Sequence, residues 1–314
     1  RWEDRSPNLR WISGSLTKFM LNEIIVKSVL NKTKRRDPWF LDDYTINPYS
    51  ACSFNCLYCY IRGSKYGEHM DEKLSIKINA LEILEKQLKN RAKKNQHGII
   101  VLASATDPYL QVEKKYELTR RMLELIHTYR FPVHIITKSD LVLRDFDLLE
   151  KINRDAILPL DLQSSVEHKV FITFSFSTID DALGKIFEPG ATLPSKRMIT
   201  LKETLKAKFH SGVSLMPLLP YLTDSEEQLE LMFQNFQQLG VRYIFPASLT
   251  LFGDGIYDSK TLMLTAIQKH YPALAEKYKK LFSYGYSPPA WYRNALQKKI
   301  ERMMQKYPLK NSLA

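Results

Sequence analysis

At 314 residues and 44% hydrophobic content, the chain can bury one large core, or one large core with a small appended region. Its 46 lysines and arginines against 34 aspartates and glutamates give a net charge of +12, a field that favours anionic partners, nucleic acid first among them; solvated lysine faces are the plainer reading. No stretch approaches the ~20 apolar residues of a membrane span, and the opening Arg1-Trp2-Glu3-Asp4-Arg5-Ser6-Pro7 is unlike a signal peptide, so a cytoplasmic protein without membrane contact is expected.

Residues 1–40 read as a helical or irregular arm, with a lysine-rich run from Asn31 to Arg36. Residues 41–250 alternate short β-rich runs with amphipathic helical ones, the pattern of βα units around a parallel sheet. The predicted strands are Tyr44–Pro48, Gly98–Ser104, Pro132–Thr137, Val170–Phe176, Gly212–Met216 and Arg242–Pro246. Apolar spacing of three and four predicts helices over Lys73–Lys94, Lys114–Tyr129, Leu143–Asn153, Ser195–Phe209 and Ser225–Leu239, the last opened by a capping box from Ser225 to Gln228. Residues 251–314 read as a mostly helical extension.

Six parallel units are two short of a closed eight-stranded barrel. In such sheets ligands sit at the carboxyl ends of the strands. The polar residues expected to be functional are therefore those of Ser104–Pro108, Thr137–Asp140, Ser175–Thr178 and Met216–Pro217.

The chain's only cysteines, Cys52, Cys56 and Cys59, lie within eight residues, in the run from Asn47 to Tyr60. Three thiolates on one tight loop can ligate three irons of a four-iron cluster and leave the fourth iron open for chemistry. A structural zinc site would need a fourth closed ligand, for which His69 is the nearest candidate. A disulfide leaves an odd cysteine and suits a secreted chain.

The spacing C-x3-C-x2-C, with Tyr58 just before the third cysteine, resembles the radical S-adenosylmethionine (SAM) enzymes. That resemblance implies a [4Fe-4S] cluster on Cys52, Cys56 and Cys59, SAM on the open iron, and a partial (β/α)6, TIM-like α/β barrel. It also implies an external electron donor of the flavodoxin or ferredoxin kind. Outside the loop the likeness narrows. Tyr58 and Tyr60 flanking Cys59, Val101–Asp107, Ile136–Lys138, Phe174–Ser177, and Phe187-Glu188-Pro189-Gly190 followed by Lys196-Arg197 resemble, in order, segments of spore photoproduct lyases. The likeness covers roughly 47–220.

The family's activity is direct reversal of a UV-induced thymine lesion in DNA. A 5'-deoxyadenosyl radical takes a hydrogen from the lesion, the bond between the thymines breaks, and a hydrogen is returned. By resemblance, Ser104, Thr106, Ser175 and Ser177 lie at SAM-binding strand ends, Lys138 contacts the SAM carboxylate, and Tyr60 offers contacts to adenine. The lyases carry a hydrogen-donating cysteine where this chain has Ala105. With every cysteine committed to the cluster, Tyr58 and Tyr60 become the candidate catalytic donors. Tyr109 is a third, its plainer reading being an aromatic packed over the barrel mouth.

Near the end of the chain, Tyr284–Arg293 interleaves aromatics with a cation. Arg293 suits a phosphate, and Tyr284, Trp291 and Tyr292 suit stacking or wedging against bases of damaged DNA; a hydrophobic lid over the barrel is the alternative. A monomer is expected. Two other readings are a radical SAM enzyme acting on another nucleic acid or a protein, and a non-catalytic nucleic-acid binder with a zinc or vestigial site.

Overall fold

Runs of valine, isoleucine and aromatics form strands, and amphipathic segments cover them as helices. The structure, a computed structural model, describes residues 20–64, 73–102 and 104–313. In chain order these form β1 (Met20–Ile24), β2 (Asn31–Lys32), β3 (Tyr44–Ile46), β4 (Tyr49–Ser50), β5 (Lys73–Lys77), α1 (Ala80–Lys93), β6 (Ile100–Leu102), α2 (Glu113–Tyr116), α3 (Leu118–Thr128) and β7 (Val133–Thr137). There follow α4 (Phe146–Asp155), β8 (Val170–Ser175), α5 (Asp181–Phe187), α6 (Pro194–Lys206), β9 (His210–Leu218), α7 (Glu226–Leu239), β10 (Ile244–Ser248), α8 (Ser259–His270), α9 (Ala275–Leu281) and α10 (Ala290–Lys306).

The larger sheet runs in the order β10-β9-β8-β7-β6-β3-β2. From β3 to β10 every pairing is parallel, and β2 adds an antiparallel edge. This is the expected set of six parallel strands in an open sheet, with no pairing between the two edges among the described residues. β7 and β8 are buried almost throughout, as parallel strands covered on both faces must be. A small second sheet, β1-β5-β4, lies outside this frame.

Several boundaries differ from the sequence pattern. The helix expected from Lys73 begins at Ala80, and Lys73–Lys77 pairs instead with β1 and β4. The reason is periodicity: Leu74 and Ile76 bury at a spacing of two, and burial at a spacing of four begins with Ala80, Leu84 and Leu88. The expected helix over Lys114–Tyr129 breaks at Glu117, whose φ of 47° is left-handed. Part of the segment read as an irregular arm is strand, since β2 extends the main sheet. The Ser225 cap forms as expected, its Oγ accepting from Gln228 N at 3.2 Å, and Gly240 ends α7 at φ 79°.

One hydrophobic core lies between the sheet and α1, α3, α4, α6, α7 and α10. A second packs Tyr58, Leu249 and Leu251 against α8 and α9. Near the amino ends of the strands, a third joins Ile99, Phe171, Tyr243 and Phe245 to Trp39 and Phe40. No helix among the described residues is long and apolar enough to cross a membrane.

Candidate active site

β3 ends at Ile46, and Asn47 ties its continuation to the end of β6. The Asn47 Nδ2 donates to Ser104 Oγ at 2.8 Å, and its Oδ1 accepts from Ala105 N at 2.8 Å and Thr106 N at 3.3 Å. Thr106 Oγ1 donates to Ala51 O at 2.6 Å, the carbonyl just before Cys52. Lys77 donates to Asn47 O, and burial brings its ammonium down to about 8. The loop turns through left-handed backbone at Ala51 (φ 65°) and Asn55 (φ 52°).

Buried charge fixes this loop on several sides. Tyr49 donates its hydroxyl to Glu113, which is fully buried and takes Arg144 Nη2 at 2.7 Å. Arg62, also buried, donates to Cys56 O at 3.3 Å, to Asn55 Oδ1, and to Tyr257 O at 3.1 Å, so the segment after β10 is held to the same loop. The Phe187–Gly190 segment lies directly against it: Leu57 N donates to Phe187 O and Gly190 N to Phe54 O, both at 2.9 Å. A Cβ on Gly190 would collide with Ser53 O and Phe54, so glycine is required there by close approach.

Glu188 is the centre of this contact. Its carboxylate accepts from Tyr58, from Ser177 Oγ at 2.8 Å and from Arg197, and Arg197 also donates to Ser175 O. Burial pushes the Glu188 carboxyl up, but the charges of Arg197 and Lys138 and the hydrogen bonds from Tyr58 and Ser177 outweigh it and hold the group below its usual range. The Lys138 ammonium stands 5.9 Å from the centre of the Tyr58 ring. The Lys138 backbone N–H donates to Asp107 at 2.7 Å, where Thr137 Oγ1 at 2.8 Å and Tyr109 N at 2.9 Å also donate.

The three cysteines are unpaired; each residue is partly exposed while its thiol is enclosed. Burial pushes all three thiols up, Cys52 to about 12 with the nearby Asp107 adding to it, while Lys138 pulls Cys56 and Cys59 the other way. Thiols in this setting lose their protons together with the arrival of metal charge. Among the described residues no three His, Cys, Asp or Glu side chains are arranged to hold a single metal ion. An iron–sulfur cluster asks for something else, one thiolate per iron, so the sulfurs need not converge on a point. Three enclosed thiols beside one lysine, on a loop braced at both ends, fit that demand. His69 lies outside the described residues.

The structure sorts the sequence candidates. Ser104, Lys138 and Ser175 stand together with the cysteine loop at the carboxyl ends of β6, β7 and β8. Ser177 is buried, with its hydroxyl on Glu188. Thr106 is likewise buried and bound to Ala51 O. Tyr58 is only 5% exposed and its hydroxyl donates to Glu188. Tyr109 is buried in the main core.

Tyr60 differs from all of these. It is 53% exposed, and its hydroxyl donates to Ser104 O, one residue from Ala105. Burial of the hydroxyl end, with Cys59 beside it, pushes the phenol up to about 12.

In the C-terminal segment Tyr284, Trp291 and Arg293 are exposed. Tyr292 is not available for wedging between bases, because it is buried with its hydroxyl on Asp224. The segment adjoins the site's face of the sheet: Leu251 N donates to Tyr286 O at 2.7 Å, and the Tyr286 ring stacks on Phe252 at 4.8 Å.

Sequence reasoning missed Glu188, Arg197, Glu113, Tyr49 and Arg62 as parts of the site. The Phe-Glu-Pro-Gly and Lys-Arg blocks were visible as a likeness, but nothing in their spacing says that they reach back to the cysteine loop. For the other three only the structure supplies the signal, a charged or phenolic side chain buried beneath that loop.

An open parallel α/β sheet with three enclosed thiols on the loop after its first parallel strand defines a recognisable class. The Radical SAM superfamily matches residues 46–232, more than half of the sequence, and the chain belongs to that family, whose enzymes use a [4Fe-4S] cluster and SAM. An uncharacterised protein of Mycobacterium tuberculosis is 27% identical over 296 residues, covering 92% of this chain and 81% of its own length. One from Methanocaldococcus jannaschii is 31% identical over 216 residues, covering 67% of this chain and 72% of its own. Among solved structures, a spore photoproduct lyase with bound AdoMet and dinucleoside spore photoproduct shares the fold. Its TM-score is 0.60 at 17% identity, over 91% of this chain and 79% of that one.

Proposed function

We propose that this radical SAM enzyme directly reverses a thymine lesion of the spore photoproduct type in DNA. One observation carries the reading: segments that resemble the lyases one by one, 101–107, 136–138, 174–177, 187–190 and 196–197, gather around a single cysteine loop. The similarity of fold to a spore photoproduct lyase supports it.

Cys52, Cys56 and Cys59 would hold the cluster, and Ser104, Ser175 and Lys138 would receive the polar groups of SAM. A cation suits the SAM carboxylate in a site screened from water. The chemistry supplied by the bound cluster and SAM is one-electron generation of a hydrogen-abstracting radical. The chain's own contribution is to hold the lesion, exclude water and return a hydrogen. Tyr60 serves the last task, directly or through an external thiol, because its hydroxyl stands beside Ala105 and its ring is open to a substrate. Electrons would come from a flavodoxin- or ferredoxin-like donor, in the reducing cytoplasm.

A lesion must leave the duplex stack to reach this site. Tyr284, Trp291 and Arg293, all exposed, would receive such a strand, stacking on bases and pairing with phosphate. Residues 41–250 would form the catalytic unit, working as a monomer.

A second reading, a radical SAM enzyme acting on another nucleic acid or on a protein, is favoured by Ala105 alone, since a different reaction would need no thiol. Turnover of a synthetic spore-photoproduct dinucleotide by the reconstituted protein separates the two. SAM cleavage without release of thymine would sink the lyase reading. If the lyase reading holds, Tyr60→Phe should accumulate radical-quenching by-products that Tyr58→Phe does not.

A further inference from the structure

Two triads of the same composition, each with a buried tyrosine and a buried glutamate, lie under the cysteine loop. Tyr49, Glu113 and Arg144 hold it before Cys52; Tyr58, Glu188 and Arg197 hold it between Cys56 and Cys59. In the second triad every member is buried. Side chain and backbone act from one short segment, which reaches the loop at Phe54, Leu57 and Tyr58, on both sides of Cys56.

Desolvating a carboxylate and a guanidinium is expensive, and an apolar trio of similar volume would usually stabilise a core as well or better. What an apolar trio cannot supply is direction. Glu188 receives three donors, one of them the phenol carried by the loop itself, so the loop has one seating in which all three are satisfied.

We propose that Glu188 and Arg197, acting through Tyr58, are positioning residues that set the middle of the cysteine loop in its ligand-bearing shape, and that seating the loop is the task of Tyr58. This rests on the reading that the three cysteines hold an iron–sulfur cluster.

The test is anaerobic reconstitution of the full chain followed by a ferrous-chelator challenge, with iron release followed by absorbance. The EPR spectrum of the reduced protein is recorded with and without SAM. Partners behind the ligands of a metal typically alter affinity by about 10- to 100-fold. Tyr58→Phe, which removes one oxygen and keeps the ring, and Glu188→Gln should each release iron faster by about that factor. Each should also broaden the EPR signal and weaken its response to SAM, which a loss of global stability alone would not do. The double variant should be no worse than the more severe single one, since both break the same contact. Tyr60→Phe should hold iron as the parent does.

Parent-like iron retention and spectra in both single variants would overturn the proposal, as would equally fast loss in Tyr60→Phe. If Glu188→Gln does not fold, Tyr58→Phe alone decides it. A parent that takes up no iron removes the cluster reading and this inference together, whereas a loaded parent with unaffected variants removes only the inference.

Discussion

The two ends of the main sheet both bury polar groups, and they do so in opposite ways. At the carboxyl ends the buried groups are charged: Glu188, Arg197 and Glu113 all face the cysteine loop or its supports. Toward the amino ends they are neutral and form one directed chain. Tyr243 Oη and Thr173 Oγ1 are 2.8 Å apart, Thr173 Oγ1 and His134 Nε2 2.6 Å, and His134 Nδ1 and Phe40 O 2.9 Å. Since a carbonyl can only accept, Nδ1 carries the proton, Nε2 accepts from Thr173, and Tyr243 donates into Thr173. Trp39, Phe40 and Phe245 close that end with stacked and edge-on rings. One end buries charge beneath the cysteine loop; the other is a neutral plug.

The contrast can be broken most sharply at the loop. Cys56→Ala should lower iron from about four per chain to background in the reconstituted protein, whereas changes at the plug should leave iron content at the parent value.

Acid should attack the plug. Burial holds His134 down to about 4, against an ordinary value near 6.5. Between those values the unfolded chain binds the proton and the folded one does not, so this stability is complete above pH 6.5 and is lost as pH falls toward 4. Its size is about 3 kcal/mol. Urea melts between pH 7 and pH 4.5 measure it, and His134→Gln should flatten the slope. A residual slope should remain from His210, which burial and the adjacent His168 also bring to about 4.

A smaller effect is expected at Lys138. Lys138→Met should weaken SAM binding by about 1.5–3 kcal/mol, the usual range for a hydrogen bond to a charged group, as read by equilibrium binding to the reconstituted protein. Equal affinity in the variant would move the SAM carboxylate elsewhere. Smallest is Tyr243→Phe, which leaves Thr173 without its donor and should lower unfolding free energy by about 1 kcal/mol while iron content and SAM affinity stay at parent values. A loss of iron in that variant would erase the division between the two ends.

DNA binding tests the C-terminal segment. If several phosphates are neutralised, affinity for duplex DNA should fall with a log–log salt slope of about −0.9 per contact, and Arg293→Ala should reduce that slope by about one contact. An unchanged slope would favour a lid.

Much of the fold was legible because periodicity is local. Each of the six predicted parallel strands exists, from β3 to β10, and Ser225 caps the helix it was expected to cap. The errors fall where local signals compete. Leu74 and Ile76 join a small sheet because β1 and β4 lie alongside, which no window around Lys73 could reveal. Of the candidate site residues, Cys52, Cys56, Cys59, Ser104, Lys138 and Ser175 gather at one face because the ends of parallel strands do so by construction. The burial of Tyr58, Ser177 and Tyr292 was not legible, because a sequence carries residue type but not exposure.

By itself, then, the sequence determined the kind of protein: an open parallel α/β sheet, thiols spaced for an iron–sulfur cluster, and the absence of any spare cysteine. These depend on residue identity and on spacing over a few residues. Only the tertiary structure decided which tyrosine is buried and which is exposed. Tyr58 and Tyr60 are two positions apart and chemically identical, but one is buried with its hydroxyl on Glu188 and the other is half exposed with its hydroxyl on Ser104 O, beside Ala105. The partners that make the difference, Glu188 at 130 positions away and Ser104 at 44, come near only when the sheet forms.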